Sequence, residues 1–91
     1  MRVYDWNIWL EQHIPYYEAD RLRAQYSVDP PQVLLEIDIL DRHRRNTTWD
    51  DANQLLEKYN AKPVFLSRDT HQKWYWAFWD NRQALIAVIM L

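Results

Sequence analysis

The sequence predicts an α+β domain, with three to four N-terminal helices packed on a C-terminal three-stranded antiparallel meander. Three observations lead there. Helix-start signals recur through the first two thirds of the chain. The last third is rich in β-branched and aromatic residues between turn signals. Its terminal stretch, Lys73-Trp-Tyr-Trp-Ala-Phe-Trp-Asp-Asn-Arg-Gln-Ala-Leu-Ile-Ala-Val-Ile-Met-Leu91, is apolar on both faces of whatever it forms. A strand with one wet face alternates apolar and polar residues, so this segment requires cover on both sides.

Val3, Trp6, Trp9 or Leu10, and His13 fall at helical spacing, with Asp5 near the start. Tyr4, Trp6, Ile8 and Leu10 alternate as a strand would, and the helix is the preferred reading. Pro15 opens a second helix reaching about Tyr26. Asp29-Pro30-Pro31-Gln32 supplies a cap, a first-turn proline and an Asp-x-x-Gln box. It predicts a third helix to about Arg45, with Val33, Leu34, Ile37 and Leu40 as its apolar face. The run Leu35-Glu36-Ile37-Asp38-Ile39 also alternates like a strand. Thr48 caps a fourth helix, Trp49 to Tyr59, which buries Ala52, Leu55, Leu56 and Tyr59. Asn60 ends it and Pro63 forbids its continuation.

Val64-Phe65-Leu66 is a short strand and Arg68 to Gln72 a polar loop. Trp74–Trp79 and Ala84–Leu91 complete the meander, joined at Asp80-Asn81-Arg82. At this size three strands and four short helices leave one sheet face thinly covered.

Ninety-one residues form a single domain, 1–91, with an adequate but thin core. Six Trp, six Tyr and two Phe exclude disorder, because disordered chains are poor in aromatics. The chain has no Cys, so neither a disulfide framework nor a thiolate metal site is available. It has no Gly either, which excludes phosphate-binding loops, the dinucleotide fingerprint and the nucleophile elbow. Asn46, Asn60 and Asn81 are the residues expected to take left-handed turns in its place.

The first thirteen residues carry charges and no long apolar run, unlike a signal peptide. The longest apolar run, Ala84 to Leu91, is too short to span a bilayer. These features predict a soluble, cytoplasmic protein with no membrane partner. Net charge is −2 with both signs mixed, which is neither the footprint of a DNA binder nor that of a DNA mimic. Arg outnumbers Lys eight to three. That favours planar contacts with carboxylate or phosphate, although codon drift produces the same ratio.

No catalytic, metal or cofactor motif emerges. His13, His43 and His71 stand apart, without a partner at metal-ligand spacing. Asp38 with Asp41 and Asp50 with Asp51 are the close carboxylate sets, and the second already serves a helix start. A non-enzyme without cofactor or metal is expected.

Trp, Tyr and Arg are the residues most enriched at binding hot spots. Trp6, Trp9, Trp49 and one face of the Trp74–Trp79 strand are assigned to the core. Tyr75 and Trp79 on its other face, with Lys73 and with Arg82 on the rim, are the expected protein-binding residues. Arg42, Arg44 and Arg45 could contact an anion or nucleic acid beside the aromatics, although cations at a helix end equally offset its dipole. The expected function is that of a non-enzymatic protein-binding module, a small inhibitor or adaptor docking on a larger partner. Phage anti-defence proteins such as anti-CRISPRs, and immunity proteins, are of that kind. Self-association through the C-terminal sheet is the simplest variant, and a nucleic-acid-binding regulator is the alternative.

Overall fold

The computed structural model describes residues 1–67 and 73–91. The chain runs β1 (Arg2–Asp5), α1 (Trp6–Gln12), α2 (Tyr16–Gln25), β2 (Val33–Ile37), α3 (Ile39–Arg45), α4 (Trp49–Glu57), β3 (Lys62–Val64), β4 (Trp74–Phe78) and α5 (Asn81–Met90). The class is α+β. The sheet has four strands in the order β1-β2-β4-β3, every neighbouring pair antiparallel. It therefore draws strands from the whole chain instead of forming a C-terminal meander. The polar loop expected over residues 68–72, with His71, lies outside the described residues.

Each departure from expectation has a local cause. At the N-terminus the helix reading holds over Trp6–Gln12, and the alternation through Leu10 forms no strand; Arg2–Asp5 is instead a short strand, and Asp5 caps α1 by accepting the Ile8 N–H at 3.1 Å. The helix expected from Pro30 to Arg45 begins only at Ile39. Gln32 continues the sheet instead, donating its N–H to the Phe78 carbonyl and accepting from the Trp6 N–H. The cap that operates is Asp38, in a reciprocal box with Asp41: the Asp41 N–H donates to the Asp38 carboxylate and the Asp38 N–H to that of Asp41. Asn46 ends α3 at φ 48° and Asn60 follows α4 at φ 63°, both in the left-handed role expected of them. Asn81 instead is the first residue of α5. Thr48 caps α4 as expected, accepting the Asp51 N–H at 3.2 Å.

The largest correction concerns residues 84–91. They form no strand: Asp80 accepts the Arg82 N–H at 2.8 Å and starts a ten-residue helix. Ala84 and Ala87 face inward. An all-apolar run has no visible period, so its small residues at i and i+3 were the only helical signal within it.

Registers place the two faces of the sheet unambiguously. Val33, Leu35 and Ile37 lie opposite Phe78, Trp76 and Trp74, and share one face with them. There Ala52 and Leu56 of α4 and Ala84 and Ala87 of α5 close the core. Leu34 lies opposite Ala77 on the other face, under Trp6, Trp9 and Leu10 of α1 and Ala19 and Leu22 of α2. Ala77 is the small residue that lets the two α1 indoles approach the sheet. Both faces are thus well covered, contrary to the expected thin one. The expected last strand has become a helix that joins α4 over one face, while α1 and α2 lie over the other. β2, buried along its whole length, reads Val-Leu-Leu-Glu-Ile without polar alternation for this reason. Of the edge strands, β3 carries Pro63, a residue tolerated where no ladder donor is needed. No helix among the described residues is long and apolar enough to cross a membrane.

Candidate functional site

The pairing of β3 with β4 ends at Val64 opposite Tyr75. Just past that point lies a groove of about 510 Å³, lined by Trp49, Phe65, Leu66, Lys73, Trp74 and Tyr75, with Val64 at its base. Each wall is placed by a separate element. Trp49 is the first residue of α4, set by the Thr48 cap, and stacks on the buried Trp76 with ring centroids 6.0 Å apart. Phe65 packs beside Trp49 at 6.1 Å and is 66% exposed. Trp74 meets Trp76 edge-on at 6.1 Å, and the Arg42 guanidinium of α3 lies over its ring at 4.4 Å. Trp76 anchors the set, donating its indole N–H to Asn53 Oδ1 at 2.9 Å.

The Phe65–Ser67 wall is held from α2. Glu18, buried in the first turn, accepts the Ser67 N–H at 3.1 Å and the Ser67 hydroxyl, and forms an ion pair with Arg21 at 3.0 Å. Arg21 also donates to the Phe65 carbonyl at 2.8 Å. Burial raises the Glu18 pKa, but the donors from Ser67 and Arg21 outweigh it and the net shift is downward from the ordinary 4.5. A carboxylate with a lowered folded pKa contributes stability that is present above its unfolded value and disappears as pH falls through the folded one. Acidification from pH 4.5 downward is therefore expected to release the Phe65 wall, and Glu18→Gln to flatten the acid-dependent fall in melting temperature without abolishing it, because Asp41, despite its burial, is likewise held down by the N-terminal ammonium; the substitution itself is expected to cost about 1–3 kcal/mol. Melting temperatures of both proteins from pH 7 to pH 3 measure this; parallel curves would show that Glu18 carries no such coupling.

The sequence-derived candidates separate into groups. Lys73 and Tyr75 line the groove, Lys73 pairing with the buried Glu36 at 3.2 Å and Tyr75 lying against Trp9 at 5.3 Å. Trp79, at the far end of β4, is half-buried, donating its indole N–H to the Asp29 carbonyl at 2.8 Å beside Tyr26. Arg82 is exposed in the first turn of α5. Arg42 joins the groove through Trp74, while Arg44 and Arg45 are exposed at the end of α3. Phe65 and Trp49 were missed as groove residues. Their one sequence signal was an aromatic side chain immediately after a cap (Thr48) and another after a proline-bearing strand, neither of which encodes contact between them.

A second depression, of about 560 Å³, lies between β1 and the start of α5, lined in part by Val3, Tyr4, Asp5, Pro30 and Asn81. Its one carboxylate, Asp5, is engaged in capping α1. Among the described residues no three His, Asp or Glu side chains come together in metal-binding geometry.

Fold and groove define a small α+β domain with an aromatic cleft at the end of a doubly covered sheet. Comparison of the chain with protein-family models, with curated proteins and with solved structures finds no match.

Proposed function

We propose that this protein is a non-enzymatic protein-binding module, an inhibitor or adaptor in type, whose groove receives an extended segment of a larger intracellular partner. The observation that carries the reading is the groove itself: Trp49, Phe65, Trp74 and Tyr75 present apolar walls already ordered by buried contacts. Rigid aromatic walls lose little entropy on binding, which is why such residues dominate hot spots. Lys73 at the rim is paired with Glu36 at 3.2 Å and Arg42 lies over Trp74, so the aromatic walls are the groove's main recognition feature. The matching segment carries one large apolar anchor. Among the described residues, the titratable side chains lining the groove are Lys73 and Tyr75.

Selection of a displayed random-peptide library on the immobilised protein tests this. The expected consensus is built around one large apolar or aromatic residue. Phe65→Ala is expected to weaken the selected peptides at least about tenfold while lowering stability by less than about 1 kcal/mol, since Phe65 is largely exposed. Peptides that bind Phe65→Ala equally well would remove the groove from the function. Binding of single-stranded oligonucleotides that weakens steeply with salt would move the reading to nucleic acid through Arg42, Arg44 and Arg45.

A further inference from the structure

Beyond Val64 the chain leaves the sheet. Val64 is 4% exposed and lies opposite Tyr75, the last register position of β3. Phe65 is largely exposed, Leu66 partly buried and Ser67 exposed. Apolar burial, which holds Val64, holds this wall of the groove only weakly. Polar contacts to α2 take its place. Glu18 accepts both the N–H and the hydroxyl of Ser67, and Arg21 reaches from Glu18 to the Phe65 carbonyl. The two α2 residues stand one turn apart on the same side of the helix. Ala19 and Leu22 beside them anchor that helix in the core.

Such a fastening can open by itself. Opening breaks the three hydrogen bonds to Ser67 and Phe65 and the contact of Phe65 with Trp49. It leaves the β3–β4 pairs and the packing of α2 in place. Glu18 keeps Arg21 as its ion-pair partner and water replaces Ser67, so no charge stays buried without a partner. Segments held by a few polar contacts open at far lower cost than a whole domain. We propose that residues 65–67 are a latch that opens as a local unit, with Glu18 and Arg21 as its catch, and that its opening admits ligand to the groove. Closed, the latch is the ordered wall of the groove; open, it uncovers Leu66 and the Trp49 ring. Glu18 and Arg21 are positioning residues, touching the wall and not what enters. Only the admission of ligand rests on the groove reading; the latch itself does not.

Amide hydrogen exchange, read residue by residue, tests the latch without a ligand. The Ser67 N–H is expected to be protected, yet to exchange at least about a hundredfold faster than that of Leu35, which is fully buried in the centre of the sheet and opens with the whole domain. Glu18→Gln is expected to speed exchange at Ser67 about tenfold or more, and Ser67→Ala, which removes only the hydroxyl donor, to act in the same direction. Val33→Ala, which weakens the core at the other end of β4, is expected to speed Leu35 and leave Ser67 unchanged. A Ser67 amide that exchanges at the Leu35 rate, or follows Leu35 in Val33→Ala, would overturn the latch, since the wall would then open only with the domain. An unprotected Ser67 amide would overturn it as well, by removing the catch. Access is read separately. The chain has no Cys, so alkylation of Leu66→Cys by iodoacetamide reports exposure of the groove without background. Its rate is expected to rise with Glu18→Gln by the same factor as Ser67 exchange; an unchanged rate would refute admission through the latch. A latch confirmed by exchange, beside a peptide selection that fails, would remove the groove reading and leave the latch standing.

Discussion

Trp76→Ala is expected to cost about 3–5 kcal/mol, the range for deleting a fully buried indole. Trp76 has no exposed surface and sits opposite Leu35 in the centre of the sheet. Its ring supports Trp49 and Trp74, and its N–H is paired with Asn53. The substitution removes dispersion contacts, opens a cavity between β4 and α4, and leaves Asn53 Oδ1 without its donor. Domains of this size are stable by about 5–15 kcal/mol in total. The loss is therefore expected to lower the melting temperature by about 20 °C and, at the unstable end of that range, to unfold the chain. Because Trp49 and Trp74 rest on Trp76, peptide binding at the groove is expected to fall with it. A melting temperature within a few degrees of the unmodified protein would mean that the Trp76 site collapses without a cavity, and that the groove does not rely on it.

The second large effect separates the helical from the extended reading of the terminal segment. Residues 87 and 89 share a face on a strand but lie 200° apart on a helix. Ala87 is fully buried against the sheet, whereas Ile89 is mostly exposed. Ala87→Asp places an unpaired carboxylate in an apolar core and is expected to cost about 3–5 kcal/mol. Ile89→Asp is expected to cost no more than about 0.5 kcal/mol. Both substitutions put an acid near the carbonyl end of α5, so the unfavourable dipole effect is common to the pair and the difference reports burial alone. Urea midpoints decide the matter. Equal losses at the two positions would require the extended arrangement.

These two expectations mark where local sequence signals reached and where they stopped. The caps at Thr48 and the left-handed asparagines at 46 and 60 were legible, because each is satisfied by neighbours within three residues. The division of Trp74–Phe78 into two sides was legible too, since a strand's period of two needs no knowledge of its partners, but that both sides would be packed under helices was not. Val33–Ile37 was not: Asp29-Pro30-Pro31-Gln32 has the chemistry of a helix start, and only pairing with β1 and β4 turns Gln32 outward into the sheet. The same limit applied to the site. Lys73, Tyr75 and Arg42 were picked out by residue type, and two of them line the groove while the third covers its Trp74 wall. Trp49 and Phe65 reach it from α4 and from beyond β3, and no spacing rule relates those segments to β4.

By itself the sequence determined the α+β class, the Thr48 helix start, the two-sided division of β4, and the exclusion of glycine- and cysteine-dependent chemistry, all of which depend on residue type and short-range geometry. Only the tertiary structure decided that residues 33–37 enter the sheet, that residues 81–90 leave it as a helix, and where the aromatic side chains converge. A uniformly apolar segment satisfies either periodicity, and the surface available to bury it selects between them. Here β2 and β4 offered α5 a face of large side chains against which Ala84 and Ala87 pack closely. That packing leaves the larger residues of α5 pointing outward.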